Sequence, residues 1–349
     1  MLVASQAWFL DQFGVLHDGK QPYPGAVLAL EKLAERGTKM VIISNSSRRS
    51  STTMEKLKSL GFDPSLFIGA ITSGELTHHY LQRRDDAWFA ALGRSCIHMT
   101  WSSRGAISLE GLGLRVVDNV EDAEFILAHG TEALGHPSGD SLPMTLEELE
   151  KILEQCAAKK IPMVVANPDF VTVEARDLRD NEMIDLKFKE GIAFIGLLKI
   201  ALEDIKHHSS PSLSELECII LLEEGAKTMT KCPFQKEITS PQYSTLASKY
   251  EKLGGEVKWM GKPDKIIYQS AMSMVGVDAS DSIAVGDSLH HDIKGANAAG
   301  IPSVFITGGI HATELGLGNF DETADMNSVK ALASNYDAYP SYVLPSFTW

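Results

Sequence analysis

The chain has few cysteines, no long apolar run and no excess of positive charge, and each shortage removes a class of protein. Only four cysteines occur in 349 residues, Cys96, Cys156, Cys218 and Cys232, with no CxxC pairing and no metal-ligand spacing. That excludes a disulfide framework and a zinc site, and it fits reduced, incidental thiols in a cytosol-like compartment. The most apolar stretch, Ile192 to Ile205, is about fourteen residues and carries Lys199 and Glu203, too short and too charged to span a bilayer. A formal charge of −14 argues against a nucleic-acid binder and against an anionic-membrane surface protein. It leaves room for a local basic pocket that takes a phosphorylated metabolite. Met1 runs almost directly into the first apolar strand, which leaves no space for a targeting peptide, so a cytoplasmic location is expected. Internal repeats and low-complexity tracts are absent.

What is present is a chain with 44% apolar residues, enough for a large core divided over two or three domains. Two distant runs share one pattern. Trp8-Phe9-Leu10 ends at Asp11, followed by Gln12-Phe13-Gly14, and Ile283-Ala284-Val285-Gly286 ends at Asp287, followed by Ser288-Leu289-His290-His291-Asp292-Ile293. Each is an apolar strand that breaks off at a carboxylate, the arrangement that gathers acidic groups at the carboxyl edge of a parallel sheet. Such crowded carboxylates repel one another unless a hard divalent cation sits between them, and magnesium is the expected one.

The rest of the chain supplies the α/β alternation around these runs. Pro24-Gly25 opens a helical pattern that lasts to Gly37, and Lys39 to Ile43 is a buried strand running into Ser44-Asn45-Ser46-Ser47-Arg48-Arg49. A helix over about Ser51 to Leu60 closes at Gly61, and Thr72-Ser73-Gly74-Glu75 reads as the cap of the next. A second alternation starts near residue 80. It comprises strands at Cys96–Met99, Ala123–Ala128 and Ile161–Ala166 and a helix over about Leu146 to Ala158. The first pattern then returns with Gly261-Lys262-Pro263, a helix over about Asp264 to Val275, the Asp287 strand, a helix from about Asp292 to Ala299 and the strand Ser303–Ile306.

The expected architecture is a doubly wound α/β parallel-sheet core with an inserted α/β cap domain. The first core part covers 1–78, the cap 79–253 and the second core part 254–349. Within the cap, about 179–242 fits the scheme poorly. It holds the Ile192–Ile205 run, a His207-His208-Ser209-Ser210-Pro211 break and the apolar patch Cys218–Leu222. This block is either an extra element of the cap or an atypical insertion with no part in the catalytic plan.

Asp11, Ser44-Asn45, Lys262, and Asp287 with Asp292 all fall at the ends of core strands or helices, and together they make one machine. A carboxylate attacks phosphorus, while a hydroxyl and backbone N–H groups hold phosphoryl oxygens. An ammonium neutralises charge on both, and an acidic pair holds the cation. In this order and spacing the chain resembles the haloacid dehalogenase superfamily of aspartate-nucleophile phosphohydrolases. Within it, the resemblance is to the class IIA branch of nitrophenyl-phosphatase-like and nucleotide-monophosphate-phosphatase-like proteins. The matching stretches are about Ala7 to Glu75 and Gly254 to Gly309, and Asn167-Pro168-Asp169 is a tripeptide familiar from that branch. The resemblance implies Asp11 as nucleophile with Lys262 as its electrostatic clamp, and Ser44 with Asn45 as phosphate-binding residues. The metal would be held by Asp11, the Phe13 backbone carbonyl, Asp287 and Asp292. It further implies a small phosphorylated substrate, and the cap as the surface through which copies of the chain could associate.

Phe13 departs from that pattern. Phosphatases of the family usually carry a second aspartate two residues after the nucleophile, which protonates the leaving group and then activates water. A phenyl ring does neither, and loss of a general acid/base costs about 10²–10⁴-fold in rate. The expected activity is therefore hydrolysis of phosphates with good leaving groups. The alternative is a catalytically weakened phosphate-binding or regulatory protein. Asp18 and His17 stand near enough in sequence to replace the missing acid or to serve only the loop. Arg48 and Arg49 read equally as an anion clamp or a solvated helix start, and His290 and His291 as rim groups rather than ligands. True dehalogenases also carry an aromatic here, but they place the cap between the nucleophile and the Ser/Thr element. Asp11 and Ser44 are 33 residues apart, so the cap must fall in the 218 residues between Ser44 and Lys262.

Overall fold

The computed structural model describes residues 5–102, 107–168 and 246–349. The questioned block at 179–242, with its two apolar stretches, lies outside the described residues, as do Asp169, Cys218 and Cys232. The remaining thiols, Cys96 and Cys156, are buried and free, and burial pushes both up to about 12.

The first sheet contains six parallel strands in the order β13-β12-β11-β1-β2-β3. They are β1 (Ala7–Leu10), β2 (Lys39–Ser44), β3 (Gly69–Thr72), β11 (Ser282–Gly286), β12 (Ser303–Ile306) and β13 (Tyr342–Leu344). Alternate residues of β1 face opposite layers, as a two-residue period requires. Trp8 and Leu10 pack with Leu30 and Leu33 of helix α1 (Ala26–Glu35) and Leu57 of α2 (Ser50–Ser59). Ala7 and Phe9 pack with Ile267, Tyr268 and Ala271 of a helix over Lys265–Val275. The strand order reverses at the β1/β11 boundary, because the chain winds outward through β2 and β3 and later through β12 and β13. Asp11 and Asp287 follow those two neighbouring strands, at the switch point where open α/β sheets bind ligands.

The second sheet, with β10-β9-β6-β4-β7-β8 as its path and β5 paired to β4, is the expected insertion. Its strands are β4 (Ser95–Thr100), β5 (Arg115–Val116), β6 (Phe125–Ala128), β7 (Ala133–Gly135), β8 (Ser141–Pro143), β9 (Met163–Val165) and β10 (Val257–Trp259). β10 runs parallel to β9. The return to the core therefore follows Trp259 rather than residue 254, since a half-exposed edge strand is marked only weakly by apolar periodicity. A Thr145/Glu148 capping box starts the helix over Leu146–Ala158. Thr72 caps the helix over Ser73–Arg83 by accepting from Glu75 N, as its sequence suggests.

Candidate active site

Asp11, Asp287 and Asp292 each offer a carboxylate oxygen within 4.8 Å of the others, at the carboxyl ends of β1 and β11. Lys262 enters from the loop after β10. Its buried ammonium donates to Asp11 Oδ1 at 2.6 Å and to Asp292 Oδ1 at 2.7 Å. Burial alone would lower the affinity of this amine for its proton. The carboxylates of Asp11 and Asp292 outweigh that and hold its pKa well above the ordinary value, so Lys262 is a fixed cation. Asp287 is pushed the other way. Burial, reinforced by the charges of Asp11 and Asp292, raises its pKa well above the usual carboxylate range.

The two metal-side acids differ in what already holds them. Asp292 Oδ1 meets Lys262 and Oδ2 accepts from Ser288 N at 3.0 Å. Asp292 does not cap the helix that follows it. It sits inside a π-helical turn, Leu289–Ile293, where its backbone carbonyl accepts from the buried Tyr268 hydroxyl at 2.9 Å. Asp287 Oδ2 accepts from Ile310 N at 2.8 Å, and Oδ1 takes no hydrogen bond among the described residues. Three carboxylates against one ammonium form a hard oxygen donor set with excess negative charge. Such a set fits a divalent cation such as magnesium.

Glycines permit this crowding, a signal that sequence reading passed over. A Cβ on Gly14 or on Gly309 would overlap the Asp287 carboxylate, and one on Gly286 would overlap Asp292. Gly14 also has φ of 84°, a left-handed conformation that a side chain would strain.

The phosphate-side residues fall on β2 and the loop after it. Ser44, the last residue of that strand, is buried. The Asn45 side chain is engaged within the protein. Its Nδ2 donates to Lys262 O at 2.9 Å, and its Oδ1 accepts from Lys262 N at 2.7 Å and from Ser73 Oγ at 3.3 Å. The Asn45 carboxamide thus holds the main chain of Lys262. A loop asparagine has no local partner that would reveal this.

Phe13, two residues after Asp11, leaves 51% of its surface exposed and meets the His17 ring edge-on at 6.1 Å between centroids. Asp18 is partly exposed, and its Oδ1 accepts from Lys20 N and Gln21 N, both at 2.8 Å. It serves the loop. His17 is buried, and burial together with Lys56 pushes its pKa down to about 4, so the ring is neutral near pH 7 and is not a general acid. Arg49 forms a two-pronged pair with Glu75 at 2.8 Å for each contact. It ties the phosphate-side loop to the helix over Ser73–Arg83 rather than pointing a free guanidinium at a ligand.

Comparison with known proteins bears on the same stretches. The sequence model of haloacid dehalogenase-like hydrolases matches residues 8–115, and a second, HAD-hydrolase-like model matches 259–334. Those two ranges contain Asp11, Ser44, Lys262, Asp287 and Asp292. The chain belongs to the haloacid dehalogenase-like hydrolases. Dihydroxyacetone phosphatase of Corynebacterium glutamicum (strain R) is 29% identical over 85 residues, 24% of this chain and 31% of that protein. The match therefore spans about a third of that relative. Among solved structures, a haloacid dehalogenase-like hydrolase from Brucella suis 1330 superposes with a TM-score of 0.59 at 20% identity, covering 98% of this chain and 96% of the other. A p-nitrophenyl phosphatase from Archaeoglobus fulgidus gives 0.54 at 19% identity, covering 99% and 97%. The described residues, cap included, thus share the fold of these solved haloacid dehalogenase-like structures.

Proposed function

We propose that this chain is a magnesium-dependent phosphohydrolase of small phosphorylated molecules that works through an aspartyl-phosphate on Asp11. The observation that carries the reading is the Asp11–Lys262–Asp292 chain of ion pairs with Asp287 beside it. A structural salt bridge has no use for a third, strained carboxylate. The dihydroxyacetone phosphatase and nitrophenyl phosphatase relatives point to the same substrate class.

Lys262 donates to Asp11 Oδ1 and holds the carboxylate that attacks phosphorus as the ester oxygen departs. Ser44 lies one strand over, on β2, and its hydroxyl meets a phosphoryl oxygen. Water then attacks the phosphorus of the acyl phosphate, returning Asp11 and releasing phosphate. Asp11, Asp287, Asp292 and the Phe13 carbonyl would hold magnesium, which supplies Lewis-acid neutralisation of the phosphoryl charge. No acid stands at position 13, so leaving groups that are stable as anions, such as aryl and acyl phosphates, are favoured.

A second reading, a phosphate-binding or regulatory protein with little turnover, draws on the same half-exposed Phe13. The deciding experiment is hydrolysis of p-nitrophenyl phosphate with and without Mg2+, for the native chain and for Asp11→Asn. Metal-dependent turnover that Asp11→Asn abolishes, with the fold retained by circular dichroism, supports the phosphohydrolase. Wild-type activity in Asp11→Asn would refute the mechanism, and phosphate binding without turnover in the native chain would favour the second reading.

A further inference from the structure

We propose that Gln12 is a positioning residue that aims the Ser44 hydroxyl proton at the phosphoryl group, with His17 setting which way the Gln12 amide faces. The inference rests on the phosphohydrolase reading of Ser44 and deepens it.

The argument runs along one chain of hydrogen bonds. Gly19 N donates to His17 Nδ1 at 3.0 Å, so Nδ1 is the unprotonated nitrogen and Nε2 carries the hydrogen. Nε2 faces Gln12 Oε1 at 3.4 Å, and a protonated ring nitrogen donates, so the atom opposite it is the amide oxygen. The amide orientation is thereby set, and the Gln12 NH₂ points to Ser44, donating to Oγ at 2.9 Å. Ser46 N donates to the same Oγ at 3.2 Å.

A hydroxyl has two lone pairs and one proton. Both lone pairs of Ser44 are thus taken, and its proton makes no hydrogen bond among the described residues. Both groups bonded to the Ser44 hydroxyl are donors, so neither can accept its proton. The group left for its proton is an incoming anion. A flipped Gln12 amide would present oxygen to Ser44, draw the proton inward and turn a lone pair toward the phosphate. His17 prevents that flip, which gives the buried imidazole a task separate from acid/base chemistry.

The test uses the full chain with Mg2+, inorganic phosphate as the calorimetric probe and p-nitrophenyl phosphate for turnover. Gln12→Met keeps the length of the side chain and removes its donor. The expected result is a rise of about tenfold in phosphate Kd and in KM, with kcat falling less, as for loss of one hydrogen bond to a charged group. Ser44→Ala should lose a similar factor, and Gln12→Met in the Ser44→Ala background should lose no more. A purely structural role for Gln12 would instead give additive losses, which would overturn the proposal. His17→Phe retains a ring against Phe13 and Phe62 and frees the amide. It should show a smaller loss that also vanishes in Ser44→Ala, and it serves should Gln12→Met not fold. Unchanged phosphate affinity in either variant, beside an active native chain, would defeat this inference alone. A native chain that neither binds phosphate nor hydrolyses the aryl ester would remove the phosphohydrolase reading along with it.

Discussion

Asn45 and Lys262, 217 residues apart in sequence, exchange two hydrogen bonds, side-chain amide to backbone carbonyl and backbone amide to side-chain oxygen. The exchange locks the main chain of the lysine to the end of β2, so the ammonium reaches Asp11 and Asp292 from a fixed base. Replacing the carboxamide leaves the buried Lys262 N–H without its acceptor, at a cost of about 1–3 kcal/mol. Asn45→Ala should therefore lower the unfolding free energy from urea titration by a comparable amount and reduce kcat on p-nitrophenyl phosphate by about 10-fold or more, because a misplaced clamp misaligns the nucleophile. Equal stability and equal turnover in the variant would show that the exchange positions nothing.

The two metal-side acids should contribute unequally. Both oxygens of Asp292 are already engaged, by Lys262 and by Ser288 N, whereas Asp287 Oδ1 takes no hydrogen bond among the described residues. Asp287→Ala should weaken magnesium binding more than Asp292→Ala, while Asp292→Ala should disturb Lys262 and hence turnover. Calorimetric titration of both variants with Mg2+ checks the ranking, and equal affinities would contradict it.

Phe13 should set the range of leaving groups. Phe13→Asp places a carboxyl where the ring now lies half-exposed, two residues after the nucleophile. Alkyl phosphates, which need a proton on the departing oxygen, should gain far more than aryl phosphates, within the 10²–10⁴-fold typical of general acid catalysis at about neutral pH. Rates unchanged for both ester types would mean that chemistry is not limiting or that another group already supplies the proton.

These residues also show what could be read without coordinates. The runs Trp8-Phe9-Leu10 and Ile283-Ala284-Val285 are apolar because both faces of a parallel strand are covered, so their ends, and the acids there, were legible. The meeting of Asp11 with Lys262 came only from family resemblance, since nothing local links positions 251 residues apart. The exchange between Asn45 and Lys262 was not legible for the same reason: the partner is a backbone amide far along the chain. The π-helical turn that carries Asp292 left no trace, because Leu289 and Ile293 suit an α-helix equally well. The short strand β13, caught between Pro340 and Pro345, was not anticipated, since three half-buried residues give too little periodicity.

The buried imidazole pair His98 and His129 should govern acid stability. His98 Nε2 lies 3.0 Å from His129 Nδ1, and both rings are almost fully covered. Burial pushes His98 from 6.5 down to about 4, and burial together with its neighbours pushes His129 well below 6.5. With its pKa lowered on folding, a histidine binds its proton more readily in the unfolded chain. Its contribution to stability is therefore intact above about pH 6.5 and falls as pH drops toward 4. For His98 the full loss is on the order of 3 kcal/mol. Glu75, held down to about 2 chiefly by Arg49, begins to lose its contribution only below its ordinary carboxylate value of 4.5, so it does not mask this window. His98→Gln can still hydrogen-bond to His129 but does not titrate. Urea unfolding of the native chain and of His98→Gln at about pH 7 and about pH 5 should show a smaller acid loss in the variant, whatever its stability at neutral pH. Identical losses in the two proteins would mean that His98 is not kept neutral by burial.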